Sequence, residues 1–173
     1  MNEPLKPDSN AQRITILGVG NILLSDEGVG VRVVEYLDRN YDFADNVQLV
    51  DGGVLGVRLM GVVSDCDVLI VVDAVQNQGA PGTLYRLEGD QIPRRVLAKQ
   101  SMHQLDLPEV LALCEAIDVF PEVIVLGIEP RDIATMDVAL TPDIEARLDQ
   151  LAGMVLGELD RLKADYQSRL SPA

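Results

Sequence analysis

The run Val68-Leu-Ile-Val-Val72 constrains the fold of this chain more than any other segment. It is wholly apolar, rich in valine, and bounded by Asp67 and Asp73. A strand with one wet face alternates apolar and polar residues; this one does not, so it suits the covered middle of a parallel sheet. Ile14–Val19, Val47–Val50 and Val123–Leu126 read as companion strands. Thr83–Leu87 follows Pro81-Gly82 and is more amphipathic, as expected nearer a sheet edge. Helical patterns separate these runs, over Gly28–Arg39, over Leu55–Val63, and from Asp106-Leu-Pro-Glu109, where acid, proline and glutamate form a capping-box start. A last helix opens at Thr141-Pro142, a cap followed by a proline in the first turn, with Ile144, Leu148, Leu151, Val155, Leu159 and Leu162 forming one apolar stripe. Strand and helix in alternation predict an α/β fold. The expected form is a three-layer α/β/α sandwich, a mostly parallel twisted sheet of about five strands with helices on both faces.

A length of 173 residues fits one domain. Residues 1–12 read as a flexible polar arm, 13–166 as a single α/β domain and 167–173 as a frayed tail. Aromatic residues make up only 3%, so the core must be aliphatic and stacking platforms for single-stranded nucleic acid are not expected. A net charge of −14 repels phosphate backbones and anionic lipid, which argues against nucleic acid and membrane as partners. The two cysteines, Cys66 and Cys114, make no disulfide framework. With no charged-then-apolar leader and no apolar run long enough to cross a bilayer, the expectation is a cytoplasmic protein. A monomer is expected.

In open α/β sheets ligands bind at the C-terminal ends of the strands, so the loops after each strand are the segments of interest. Gly18-Val-Gly20-Asn21 invites a dinucleotide reading, but the position that needs a third glycine holds Leu23. Glycines for a tight turn fit better. Asp26 and Glu27 open a helix, where acids favour the positive end of its dipole and Ser25 could be the cap; a role in chemistry is the other reading. Asp73 ends the most buried strand, either as a loop anchor or as a crevice acid. His103, the only histidine, lies in a loop and is either a hydrogen-bonded structural residue or a ligand. Two carboxylates and an imidazole from Glu27, Asp73 and His103 would leave coordination positions open and suit a borderline divalent metal. A nucleophile is poorly supported: Cys114 falls in an apolar helix pattern, Cys66 precedes the central strand, and Ser101 is too near His103 for triad geometry.

These residues resemble the family of peptidases that mature nickel–iron hydrogenases. The likeness rests on Ile16-Leu-Gly-Val-Gly-Asn-Ile-Leu-Leu-Ser-Asp-Glu-Gly-Val-Gly30, Asp51-Gly-Gly53, Val72-Asp-Ala-Val75 with Pro81-Gly-Thr83, Ser101-Met-His-Gln104 with Glu109-Val-Leu111, and Gly127-Ile-Glu-Pro130. Together these blocks span about Ile14 to Leu151 in the family order. The resemblance implies an α/β/α endopeptidase that removes a C-terminal extension from the hydrogenase large-subunit precursor once nickel is inserted. It implies that Glu27, Asp73 and His103 contact a nickel ion supplied by the substrate, as both metal and catalytic residues, and that Asp51, Gly52 and Gly53 serve substrate recognition. The family box ends in threonine where this chain has Val54, which removes a hydroxyl. A non-catalytic nickel-binding accessory protein of hydrogenase assembly is the alternative.

Overall fold

The computed structural model describes residues 11–53, 59–89, 92, 112 and 120–169. The elements are β1 (Ile14–Val19), a 3₁₀ turn (Ser25–Gly28), α1 (Val29–Asn40), β2 (Tyr41–Phe43), β3 (Val47–Gly53), α2 (Leu59–Ser64) and β4 (Val68–Ala74). After them come β5 (Leu84–Glu88), β6 (Glu122–Ile128), α3 (Pro142–Glu145), α4 (Leu148–Leu162) and β7 (Tyr166–Ser168). Among the described residues the main sheet has five strands, in the order β3-β1-β4-β6-β5. All pairings are parallel except that of β5, which runs antiparallel to β6 at the edge.

Every residue of β4 is buried, as its unbroken apolar run predicts. The period of the strand sorts its side chains: Val68, Ile70 and Val72 join Ile14, Ile16, Ile124 and Leu126 in a core with α1 and α4. Leu69 and Val71 face the other way, with Leu17 and Val125, and are covered by Leu59 and Val63 of α2. The largest fully buried side chains are isoleucines and leucines, so the core is aliphatic.

Helix α1 lies unusually close to the sheet. A Cβ built on Gly30 would stand 2.0 Å from the Val72 carbonyl oxygen and 2.5 Å from that of Val19, and one on Gly18 would stand 2.4 Å from the Gly30 oxygen. The glycines at and after the end of β1 therefore serve two purposes. Gly20, at φ 130°, turns the chain, while Gly18 and Gly30 let helix and strand backbones meet.

Several elements differ from the sequence reading. The helix expected from Gly28 opens as a 3₁₀ turn at Ser25, and Ser25 makes no side-chain cap bond; its hydroxyl donates to the Ala139 carbonyl instead. The last helix is interrupted at Ala146–Arg147, and the Thr141 hydroxyl, expected as a cap, donates to Asp26. The strands β2 and β7, not expected, pair antiparallel, with Tyr41, Phe43 and Tyr166 in mutual ring contact. Gln167 and Ser168, read as the start of a frayed tail, belong to this ribbon, and Arg169 beyond them donates to Asp42 and to the Asn40 carbonyl. The aromatic cluster supplies the apolar surface that the polar tail lacks. Residues 55–58 of the Leu55–Val63 helix, the helix opening at Asp106, and the arm up to Asn10 lie outside the described residues.

The edge strand is clamped through charge. Arg86 of β5 pairs with the nearly buried Glu158 of α4, which also accepts from Arg161 at 2.8 Å. Arg86 and, secondarily, Arg161 hold the Glu158 carboxyl below the usual glutamate range against the opposing effect of its burial. The unfolded chain therefore takes up this proton first as pH falls, and the clamp's contribution is complete above the ordinary glutamate pKa and lost below it. Urea titrations of the parent should show stability dropping below about pH 4, a drop reduced in Glu158→Gln, which is weaker by about 3 kcal/mol at neutral pH. Gly30→Ala should cost about 3 kcal/mol or more in the same assay. Gly157→Ala, in α4 where an added Cβ meets nothing, should gain about 0.5–1 kcal/mol.

Candidate active site

The chain moves from β1 outward to β3, then returns to place β4 on the other side of β1. The strand order thus reverses between β1 and β4, and such a switch point is where open α/β sheets hold their binding crevice. Asp73 stands at the β4 end, 1% exposed, in register with Gly127 of β6. Its Oδ1 accepts the Ala74 amide at 2.7 Å, so the carboxyl is turned back along its own strand end. Glu27 sits half-buried on the 3₁₀ turn, which packs against β4. The close approach at Gly30 seats that turn: with the first turn of α1 pressed on the Val72 carbonyl, Glu27 is held at the same end of the sheet as Asp73.

Asp51, Gly52 and Gly53 close β3 at this end beside β1. The register shifts between Gly18 and Val19, so that Gly18 faces Asp51 while Val19 faces Gly53, and Gly52 lies under the Leu17 side chain and the Gly18 carbonyl. Gly53 adopts φ +26°, a conformation that disfavours side chains, and Asp51 is exposed. The box is thus a bulge that turns an acid out at the crevice rim. His103 lies outside the described residues, as do Val54, Ser101 and Cys114. Among the described residues no group of three or more His, Cys, Asp or Glu side chains is placed to hold a metal ion. Glu27 and Asp73 would be the described part of the expected ligand set.

Cys66 is where the sequence reading puts it, before β4 and opposite the crevice. It is buried, donates to the Val63 carbonyl, and burial pushes its thiol above the ordinary value, all against a nucleophilic role.

Two crevice acids escaped the sequence reading. Asp26, read with Glu27 either as a helix-dipole acid or as a group for chemistry, is 0% exposed and works as a staple. It accepts from the amides of Arg131 and Asp132 at 3.0 Å, and from the Thr141 amide at 2.7 Å and hydroxyl at 2.9 Å. One carboxylate thereby ties the loop of Glu27 to the segment 131–141. Glu129 follows β6 and is 7% exposed; its Oε2 accepts from the Asn77 amide at 2.9 Å and the Tyr85 hydroxyl at 2.7 Å. Burial and the adjacent carboxylate push the Tyr85 phenol up, so it remains a donor. Glu129 thus braces the loop leaving β4. Its signal was the one that exposed Asp73, an acid at the end of a buried strand.

Fold and site together define an α/β/α protein with an acid-lined crevice at its sheet's switch point. The family model described as hydrogenase maturation protease matches residues 31–158. The chain is 40% identical over 149 residues to the hydrogenase 2 maturation protease of Escherichia coli, covering 85% of this chain and 90% of that protein. It is 41% identical over 145 residues to the hydrogenase expression/formation protein HupD of Thiocapsa roseopersicina, covering 83% of this chain but 66% of that protein's length. The solved hydrogenase maturating endopeptidase HybD of E. coli superposes with a TM-score of 0.83 at 36% identity, over 91% of this chain and 98% of that one. The chain belongs to the hydrogenase maturation protease family.

Asp26→Asn would set an amide N–H against donors that now meet an oxygen. It should cost about 3 kcal/mol or more in urea denaturation. In hydrogen-exchange mass spectrometry, the segment 131–141 should lose protection before the sheet does.

Proposed function

We propose that this protein is the endopeptidase that removes the C-terminal extension of a nickel–iron hydrogenase large-subunit precursor after nickel insertion. The observation that carries this reading is the placement of Glu27 and Asp73 at one crevice end in a chain of the maturation protease family. Glu27, Asp73 and His103 form a half-site that meets nickel brought by the substrate. Carboxylates and an imidazole are donors a borderline divalent ion accepts, and an incomplete protein set leaves positions for the client's own ligands. The exposed acid of Asp51-Gly52-Gly53 at the rim contacts the polypeptide beside the cleavage point.

The half-site discriminates loaded from unloaded precursor by differential affinity, and a hundredfold preference needs only about 2.7 kcal/mol. An ion held there by Glu27, Asp73 and His103 would also supply Lewis-acid polarisation of a scissile carbonyl or a water. The chain's own part is to hold the acids still. Asp73 is locked at a strand end, and Glu27 is set by the turn that Asp26 staples. The setting in the cell is the cytoplasm; among the described residues no helix is long and apolar enough to cross a membrane.

Purified protein incubated with nickel-loaded and nickel-free precursor should release a C-terminal peptide, weighed by mass spectrometry, from the loaded form alone. Glu27→Gln, Asp73→Asn and His103→Ala should each slow release by about 100-fold or more while circular dichroism stays native. Cleavage at parental rates by all three variants would refute the assignment. Retained nickel affinity with no cleavage by the parent would point instead to an accessory protein.

A further inference from the structure

Four apolar side chains stand out of the surface beside the crevice: Ile22 at 36% exposure, Leu23 at 53%, Met136 at 82% and Val138 at 59%. They come from two loops far apart in sequence that are laced together. The Asp137 amide donates to the Leu23 carbonyl at 3.1 Å, the Ser25 amide donates to the Asp137 carbonyl at 2.7 Å, and Leu24 and Asp137 form an isolated bridge. The Leu23 amide is tied down by the Asn21 side chain at 3.0 Å, and Asp26 staples the base of both loops. The apolar tips are thus presented on a fixed frame, an arrangement that lowers the ordering cost of binding.

Charged groups around the tips have partners within the protein. Arg32 pairs with Glu35 and donates to the Val138 carbonyl, Arg131 pairs with Asp143, Asp132 accepts from Ala134 and Thr135, and Asp137 accepts from the Ala139 amide. The apolar tips therefore stand among charged groups that are already hydrogen-bonded or ion-paired within the protein.

From this frame we infer that Ile22, Leu23, Met136 and Val138 form a docking ridge for the precursor polypeptide, an inference that rests on the peptidase reading above. Continuity with the crevice selects this occupant: the loop that carries Ile22 and Leu23 runs directly into Glu27. A polypeptide lying on the ridge is therefore already at the rim of the acid site. A second copy of this chain would bring another net charge of −14 against the first. Four side chains make a small contact, which suits a partner that must leave after each turnover.

The experiment uses the full chain and nickel-loaded precursor, with Leu23→Ser/Met136→Ser/Val138→Ser as the test variant. Leu23→Lys alone is a milder second variant, and Phe120→Ser is the control. Phe120 is 52% exposed but precedes β6, at the opposite end of the sheet. Half-saturation for precursor should rise about tenfold or more in the triple variant and detectably in Leu23→Lys. Phe120→Ser should match the parent, with thermal melts unchanged throughout. Parental half-saturation in both ridge variants would overturn the inference, as would a parental dimer in light scattering that the ridge substitutions dissolve. Precursor binding to Asp73→Asn, with and without the ridge substitutions, separates the two claims. Ridge-dependent binding without cleavage by the parent would sink the peptidase reading and keep the ridge, whereas parental cleavage with ridge-independent binding would do the reverse.

Discussion

The contact on which the rest of this molecule depends is between backbones. The first turn of α1 lies so close to β1 and β4 that Gly18 and Gly30 have no room for a Cβ, and the Val72 and Val19 carbonyls press on the helix start. A helix set further out by a side chain would still cover Ile16, Ile70 and Val72. It would not bring the preceding turn down to the end of β4. The cost is conformational, since glycine loses more freedom on folding than any other residue. The return is position: the turn of Glu27 is brought down to the end of the sheet where Asp73 stands because the chain there is thin.

A second constraint works at right angles to the first. A wholly buried carboxylate is tolerated only with its oxygens satisfied, and Asp26 meets that demand with backbone amides and a hydroxyl drawn from a segment more than a hundred residues away. The same bonds that make its burial acceptable fix the far loop against the near one. Glu129 does likewise for the loop leaving β4. The crevice is thus walled by loops that carry little hydrophobic core of their own and are held by buried acids. Ser25 shows the strain this leaves, held at φ 49° between Asp137 and Ala139.

The fold was legible in the sequence wherever burial is periodic. The unbroken apolar run of β4, the spacing of Ile144 through Leu159, and the weaker alternation at the edge strand each carry their environment in their order. Asp73 was legible for a related reason, as an acid where packing gives no cause for one. What escaped the sequence depends on pairs distant along the chain. Asp26 looks like any first-turn acid until Thr141 arrives beside it, and the Thr141 hydroxyl looks like a cap until Asp26 claims it. The ribbon of β2 and β7 is similar, since Tyr41, Phe43 and Tyr166 gain their burial from one another and from the main core they pack against. The tail beyond Lys163 offered no apolar pattern to reveal it.

Leu23 brings these strands of reasoning together. As a step in a glycine motif it counts against a nucleotide, because a helix that must begin at once after β1 needs a glycine there. The structure supplies the missing closeness later, at Gly30, and so frees the intervening residues to form a projecting loop rather than a phosphate cradle. A loop that projects between a turn glycine and a stapled acid can carry apolar tips without disturbing the core beneath. The substitution that excludes one ligand class is thus part of what builds a surface for another. Moving the close contact from the first turn after β1 to Gly30 makes room for both the acid at Glu27 and the ridge beside it.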